Sequence, residues 1–170
     1  MLKKNKKGFT LVEILIALVI LAMGIGMLIT MFTVGLKGVT ANQVRTQATN
    51  LAQDLMDEII GKEFRDPQAP DWGIEGDEVQ GDRTTYDDVD DYSAWKSKNP
   101  PLDISGNELT LYNNFTRSVS VARVNPANLQ IPLSDGDITH ISCKRIIVYV
   151  EHLDIATVSL YGLKTLSVYQ

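Results

Sequence analysis

Hydrophobic residues form one unbroken block near the N-terminus and a spaced pattern after it. The block, residues 14–36, has 23 positions with no charge and no proline. A helix needs about 20 such residues to cross a hydrocarbon core about 30 Å thick. We predict one helix over 9–60, ending near Gly61, whose second half carries an amphipathic stripe at steps of three and four. The stripe consists of Val44, Ala48, Leu51, Ala52, Leu55, Met56 and Ile59.

The last third of the chain has the composition of β-strands. Residues 115–124 and 141–150 are rich in β-branched side chains, and 156–160, continued by 165–169, forms a third such run. Residues 134–137 (SDGD) are turn material. Three consecutive strands favour an antiparallel sheet that covers the helix stripe. The predicted fold class is therefore α+β, a long N-terminal helix packed on a C-terminal antiparallel sheet.

An acidic stretch rich in proline and glycine separates the helix from the strands. We predict an irregular but ordered connection there, because four aromatic residues can anchor it to a core. They are Trp72, Tyr86, Tyr92 and Trp95.

Charge is distributed unevenly. The 16 basic and 21 acidic residues give a net charge of −5, which argues against a general nucleic-acid binder. Four of the bases, Lys3, Lys4, Lys6 and Lys7, precede the apolar block. Under the positive-inside rule these lysines stay in the cytoplasm and the C-terminal part is exported.

The sequence offers little support for catalysis. It contains no nucleophile-elbow, zinc-protease, phosphate-loop or paired-cysteine motif, so we predict that the protein is not an enzyme. His140 and His152 flank a predicted strand and receive no role. The single cysteine, Cys143, excludes an intrachain disulfide and is predicted to be a buried small hydrophobe.

The most informative motif is residues 8–13, GFTLVE, which follows the lysines and leads into the apolar block. It resembles the class III signal of type IV prepilins and type II secretion pseudopilins. The resemblance implies that a prepilin peptidase cuts between Gly8 and Phe9 and methylates the new Phe9 amine. It also implies that Glu13 pairs with the N-terminal amine of a neighbouring subunit and sets the axial register. A charge within an apolar span costs about 2.5–3.5 kcal/mol or more, so Glu13 needs such a partner.

Further resemblances point to a subgroup. Residues 86–92, 115–121 and 144–150 are similar to segments of PilV- and MshD-like minor pilins, and major pilins often carry a helix proline and a disulfide that this chain lacks. We expect a minor pilin incorporated into, or priming, a type IV pilus. The alternatives are a minor pseudopilin of type II secretion and, from another class, a membrane-anchored periplasmic ligand-binding module.

The resemblance also implies a division of the chain and its partners. The expected partners are other major and minor pilins, the prepilin peptidase, the inner-membrane assembly platform and the lipid bilayer. We expect a single-pass inner-membrane protein with a periplasmic C-terminal domain that later enters the fibre. The predicted segments are the leader 1–8, the transmembrane half-helix 9–36, the amphipathic half-helix 37–62, the acidic loop 63–114 and the sheet 115–170.

Four aspartates, Asp87, Asp88, Asp90 and Asp91, crowd within five positions of the acidic loop. A hard cation such as calcium would relieve their mutual repulsion, although the spacing is not that of an EF-hand. The alternative is a solvated acidic loop whose aspartates cap turns. We expect no other cofactor.

Overall fold

The chain forms two compact units, Met1–Asn42 and Gln43–Gln170. One helix, α1 (Leu11–Gly61), supplies nearly all of the described part of the first unit and the opening segment of the second. The computed structural model describes residues 8–66, 72–76, 78–133, 142–153 and 155–166.

Helix α1 confirms the prediction of one continuous helix. It begins two residues later than expected, at Leu11, because Thr10 occupies the capping position before the first turn. Gly61 is the last helical residue rather than a cap beyond the end. The predicted stripe is the face that becomes buried, from Ala48 to Ile59.

The strands are β1 (Phe115–Asn125), β2 (Asn128–Pro132), β3 (Cys143–His152) and β4 (Ile155–Thr165). These four antiparallel strands form one sheet in the order β2-β1-β3-β4. Strand β1 pairs with β3 from Phe115 opposite His152 to Arg123 opposite Lys144. The combination of this sheet with the long helix confirms the α+β fold class.

The strand prediction was incomplete because it missed β2. This strand reads NLQIP, is mostly exposed and lies at the sheet edge, so it lacks the apolar alternation of a half-buried strand. Strand β4 is one continuous element that ends at Thr165. The predicted turn 134–137 and the last residues of the 165–169 run lie outside the described residues.

The core lies between the stripe of α1 and the inner face of the sheet. Leu51, Leu55 and Ile59 are at most 1% exposed, and Ile146 and Val148 of β3 are fully buried. Each such side chain contributes about 1.5–3 kcal/mol when it leaves water. The second half of the helix is therefore held by residues of the same chain.

Gly162 of β4 is required by close packing against the helix. A Cβ at this position would lie 2.5 Å from Sδ and 3.1 Å from Cε of Met56. Glycine thus allows the strand to approach α1.

The acidic loop is irregular, as predicted, and its aromatic residues attach it to the core. Tyr86, Tyr92 and Trp95 are at most 7% exposed, and Trp72 packs against the same cluster. The rings of Tyr86 and Tyr92 meet edge to face at 5.0 Å. This confirms the four predicted anchors.

A buried ion pair adds a polar connection between the loop and the helix. Arg83 of the loop pairs with Glu58 of α1, and the Tyr92 hydroxyl donates to Oε1 of Glu58 at 2.7 Å. Arg83 also donates to the carbonyls of Leu102 and Asp103 at 2.7 and 2.9 Å. The loop is thus tied both to the helix and to itself.

Candidate functional site

The predicted cleavage position lies immediately before the helix. Gly8 and Phe9 are both exposed, Phe9 by 81%. A Cβ built on Gly8 would meet nothing within 4 Å, so the backbone there is open to an approaching enzyme. The structure therefore places Gly8 and Phe9 where a peptidase can reach them, and cleavage itself stays a prediction.

Glu13 lies in the first turn of α1 and forms a capping box with Thr10. The Glu13 amide donates to the Thr10 hydroxyl at 3.3 Å, and the Thr10 amide donates back to Oε2 of Glu13 at 3.5 Å. The second distance is longer than the usual 2.7–3.2 Å for such a bond. The carboxylate is thus near the positive helix end, held only weakly, and exposed.

The apolar side chains around Glu13 have no partners within the described part of the chain. Every large apolar side chain over 9–39 is between 48% and 81% exposed. The hydroxyls of Thr30, Thr33 and Thr40 are satisfied within the helix, donating to carbonyls four residues earlier at 2.9–3.1 Å. Such a surface suits lipid or the apolar helices of other subunits.

By length and composition, α1 is the one helix among the described residues that could cross a membrane, with a mean hydropathy of 2.8 in its most apolar window. None of that window is buried. This agrees with the predicted membrane-spanning half.

The aspartate string of the acidic loop is mostly buried, which corrects the alternative of a solvated loop. Asp88, Asp90 and Asp91 are 1–2% exposed, while Asp87 is exposed. Asp88 accepts hydrogen bonds from the amides of Asp66 and Asp90 at 2.7 and 2.6 Å. The expected capping of turns by aspartates is confirmed by these bonds of Asp88. Its backbone-amide partners replace the contacts with water that the carboxylate loses on burial.

Asp90 forms a buried ion pair with Lys144 of β3, and Lys144 also donates to the carbonyl of Phe64. Burial lowers the pKa of Lys144 to about 8, although the negative charge of Asp88 acts to raise it. No role for Lys144 was predicted from the sequence. The sequence did hold a clue to the burial of Lys144. It stands two residues before Ile146, so both side chains lie on the inward face of the strand.

The structure brings a second group of acids together around Asp91. Ligand oxygens of Glu75, Glu78 and Asp91 lie within 4.8 Å of one another. Burial, together with the neighbouring carboxyls, raises the pKa of Glu75 to about 7 and that of Asp91 to about 8. Neither glutamate was predicted from the sequence, because both precede Asp91 by more than a dozen positions.

The remaining chemically notable residues have packing roles. The His152 ring lies 4.8 Å from Phe115, edge to face, at the end of β3. Cys143 is 2% exposed, as predicted, and burial raises the pKa of its thiol. His140 lies outside the described residues.

Comparison with known proteins finds one match. Residues 3–29 match the family model of the prokaryotic N-terminal methylation motif, a range that includes Gly8, Phe9 and Glu13. No curated protein and no solved structure matches the chain.

The match supports a type IV pilin-like protein, either a pilin or a pseudopilin. A signal of this type implies processing by a prepilin peptidase and assembly with other pilins, and it is typical of structural proteins rather than enzymes. With the apolar helix that follows, it supports anchoring in the membrane and a place in a pilus.

Proposed function

We propose that the protein is a minor pilin of a type IV pilus. Residues 9–36 anchor it in the inner membrane. It is cut between Gly8 and Phe9, and it then enters or primes the fibre. The observation that carries the proposal is the side chain of Glu13, exposed at the start of a helix. Over the first half of that helix, the large apolar side chains have no partner within the described residues.

The cleavage supplies the partner that Glu13 needs. Cutting after Gly8 frees the Phe9 amine, which is mostly protonated at neutral pH. The weak 3.5 Å contact to the Thr10 amide leaves the Glu13 carboxylate available to the amine of an adjacent subunit. An ion pair away from water is much stronger than one at the surface, so this contact sets the axial register.

The apolar half-helix drives the rest of the assembly. Its exposed side chains lose their contacts with lipid and gain contacts with the corresponding helices of other subunits. The contacts between these helices are apolar wherever they form, so they do little to discriminate between axial positions of a subunit. One polar pair can therefore decide among those positions.

The assignment to the PilV- and MshD-like minor pilins rests on the resemblance of their segments to residues 86–92, 115–121 and 144–150, and two of these segments meet in this chain. The 86–92 string supplies Asp90, the 144–150 segment supplies Lys144, and these two residues form a buried ion pair. The resembling residues thus participate in one structural feature of the C-terminal unit.

The decisive experiment replaces the registering acid. We expect Glu13→Ala to insert into the membrane but to be lost from sheared fibres, measured by immunoblotting of membrane and fibre fractions. The control, Glu63→Ala, removes an exposed acid beyond the helix and should enter fibres normally. Unchanged incorporation of Glu13→Ala would contradict the proposal.

Processing is tested separately. Gly8→Leu places a bulky side chain at the cleavage position, and the lysine-rich leader should stay attached. Intact-mass spectrometry of the membrane-extracted protein distinguishes the two forms. A wild-type protein that retains its leader, or is cut downstream of the apolar segment, would exclude a prepilin-type signal.

A further inference from the structure

Three acidic side chains converge in the C-terminal unit with no base among them. Glu75 and Glu78 come from the acidic loop, and Asp91 comes from the short 3₁₀ turn Asp90–Tyr92. The two glutamates are half-buried and Asp91 is 1% exposed. Three carboxylates at this distance repel one another strongly when water is excluded.

Two oxygens of this group lack any hydrogen-bond partner in the described part of the chain. They are Oδ1 of Asp91 and Oε1 of Glu75, and both are buried. The other Asp91 oxygen accepts from the amides of Asp87 and Asp88 at 3.0 and 2.8 Å, which fixes the carboxylate in place. A buried acceptor without a partner is costly, so the group is suited to a ligand that accepts oxygen lone pairs.

The buried base Lys144 does not neutralise the group. Lys144 is committed to Asp90 and to the carbonyl of Phe64. The mutual repulsion of the three acids is therefore not relieved by this base. A bound cation would remove that repulsion.

Asp91 also borders a small pocket, which neither of the two glutamates lines. It lines this pocket of about 160 Å³ together with Tyr86, Trp95 and Lys96. A water molecule occupies about 30 Å³ of liquid, so the pocket has room for water beside Asp91.

We propose that Glu75, Glu78 and Asp91 bind a divalent cation and that this ion is calcium. All three ligands are hard oxygen donors, with no nitrogen or sulfur among them, which favours calcium or magnesium over transition metals. Magnesium is usually held by one or two carboxylates in strict octahedral geometry, whereas calcium accepts more oxygens in irregular arrangements. Three carboxylates from an irregular loop fit calcium better.

The proposal depends only on the C-terminal unit and goes beyond the role in the fibre. Of the four aspartates predicted from the sequence, it retains Asp91 alone. The ion would join the segment around Glu75 and Glu78 to the turn that carries Asp91, and so would hold the acidic loop against the core.

The test is calcium titration of the full chain in detergent micelles after treatment with a chelator. Calcium chloride is added up to about 10 mM, roughly ten times the weakest dissociation constant typical of extracellular calcium modules. We expect the melting temperature, followed by tryptophan fluorescence, to rise by about 3–10 °C. Calorimetric titration should show saturable binding, and magnesium at equal concentration should produce a smaller shift.

Glu75→Gln tests the ligand set with little structural change, because Oε1 of Glu75 already lacks a partner. It should weaken calcium binding at least tenfold while leaving the melting temperature in chelator equal to or above that of the wild type. Glu108→Gln, an exposed acid outside the group, is the matched control and should bind as the wild type does.

Three results would overturn the proposal. The first is a wild-type protein without a calcium-dependent shift or binding heat. The second is undiminished binding by Glu75→Gln, and the third is an equal loss of binding in Glu108→Gln. None of these results depends on whether the chain enters a fibre.

Discussion

The two halves of α1 differ both in apolar content and in surroundings. In the first unit Leu28 is 57% exposed, and in the second unit Leu55 is fully buried. The first half is apolar on all sides, while the second confines its apolar residues to one stripe that the sheet covers.

The difference shows where each half finds its partner. The second half completes a core within its own chain, so its substitutions should alter folding. The first half finds no cover among the described residues, so its substitutions should alter membrane insertion or assembly and leave the C-terminal unit intact. A half-helix of this kind is suited to exchange partners, because it is not committed to one inside the molecule.

The largest effect should come from breaking the buried ion pair of the second unit. Lys144→Met leaves Asp90 as an uncompensated buried charge and should lower the free energy of unfolding by about 3–5 kcal/mol. Denaturant unfolding in detergent micelles, followed by Trp72 and Trp95 fluorescence, measures it. Lys37→Met, at an exposed helical position of the first unit, is the control and should leave this transition unchanged.

A pair of identical substitutions tests the comparison directly. Leu55→Ala creates a cavity in the core and should cost about 2–5 kcal/mol in the same unfolding transition. Leu28→Ala removes an exposed side chain of the first unit and should cost nothing measurable there. Equal losses from the two variants would show that the halves are not energetically distinct.

The smallest effect should be confined to the start of the helix. Thr10→Ala removes the hydroxyl that caps the Glu13 amide, at a local cost of about 0.5–2 kcal/mol. Amide hydrogen exchange in the first turn should accelerate by about 2–30-fold. The melting temperature of the C-terminal unit should not change, and a change would reveal coupling between the two units.

Features that depend on neighbouring residues were predictable. The helix follows from an apolar block and a stripe at steps of three and four, and three strands follow from β-branched runs. The signal in residues 8–13 is contiguous, and it spans the start of the helix. The edge strand β2 was missed because its short polar sequence lacks the apolar alternation of a half-buried strand.

Features that depend on distant residues were not predictable. Asp90 and Lys144 are 54 positions apart, and their pairing requires β3 to lie beside the aspartate string. The convergence of Glu75 and Glu78 with Asp91 likewise depends on how an irregular loop folds back on itself. Periodicity carries no information about such contacts.

By itself, the sequence determined the membrane-type helix, the processing motif and the α+β class, because each depends on adjacent or regularly spaced residues. Only the tertiary structure decided which aspartates are buried, which base neutralises one of them, and which three acids meet at Asp91. The reason is physical: the energy of a charge depends on what surrounds it, and those surroundings come from parts of the chain that are far apart in sequence.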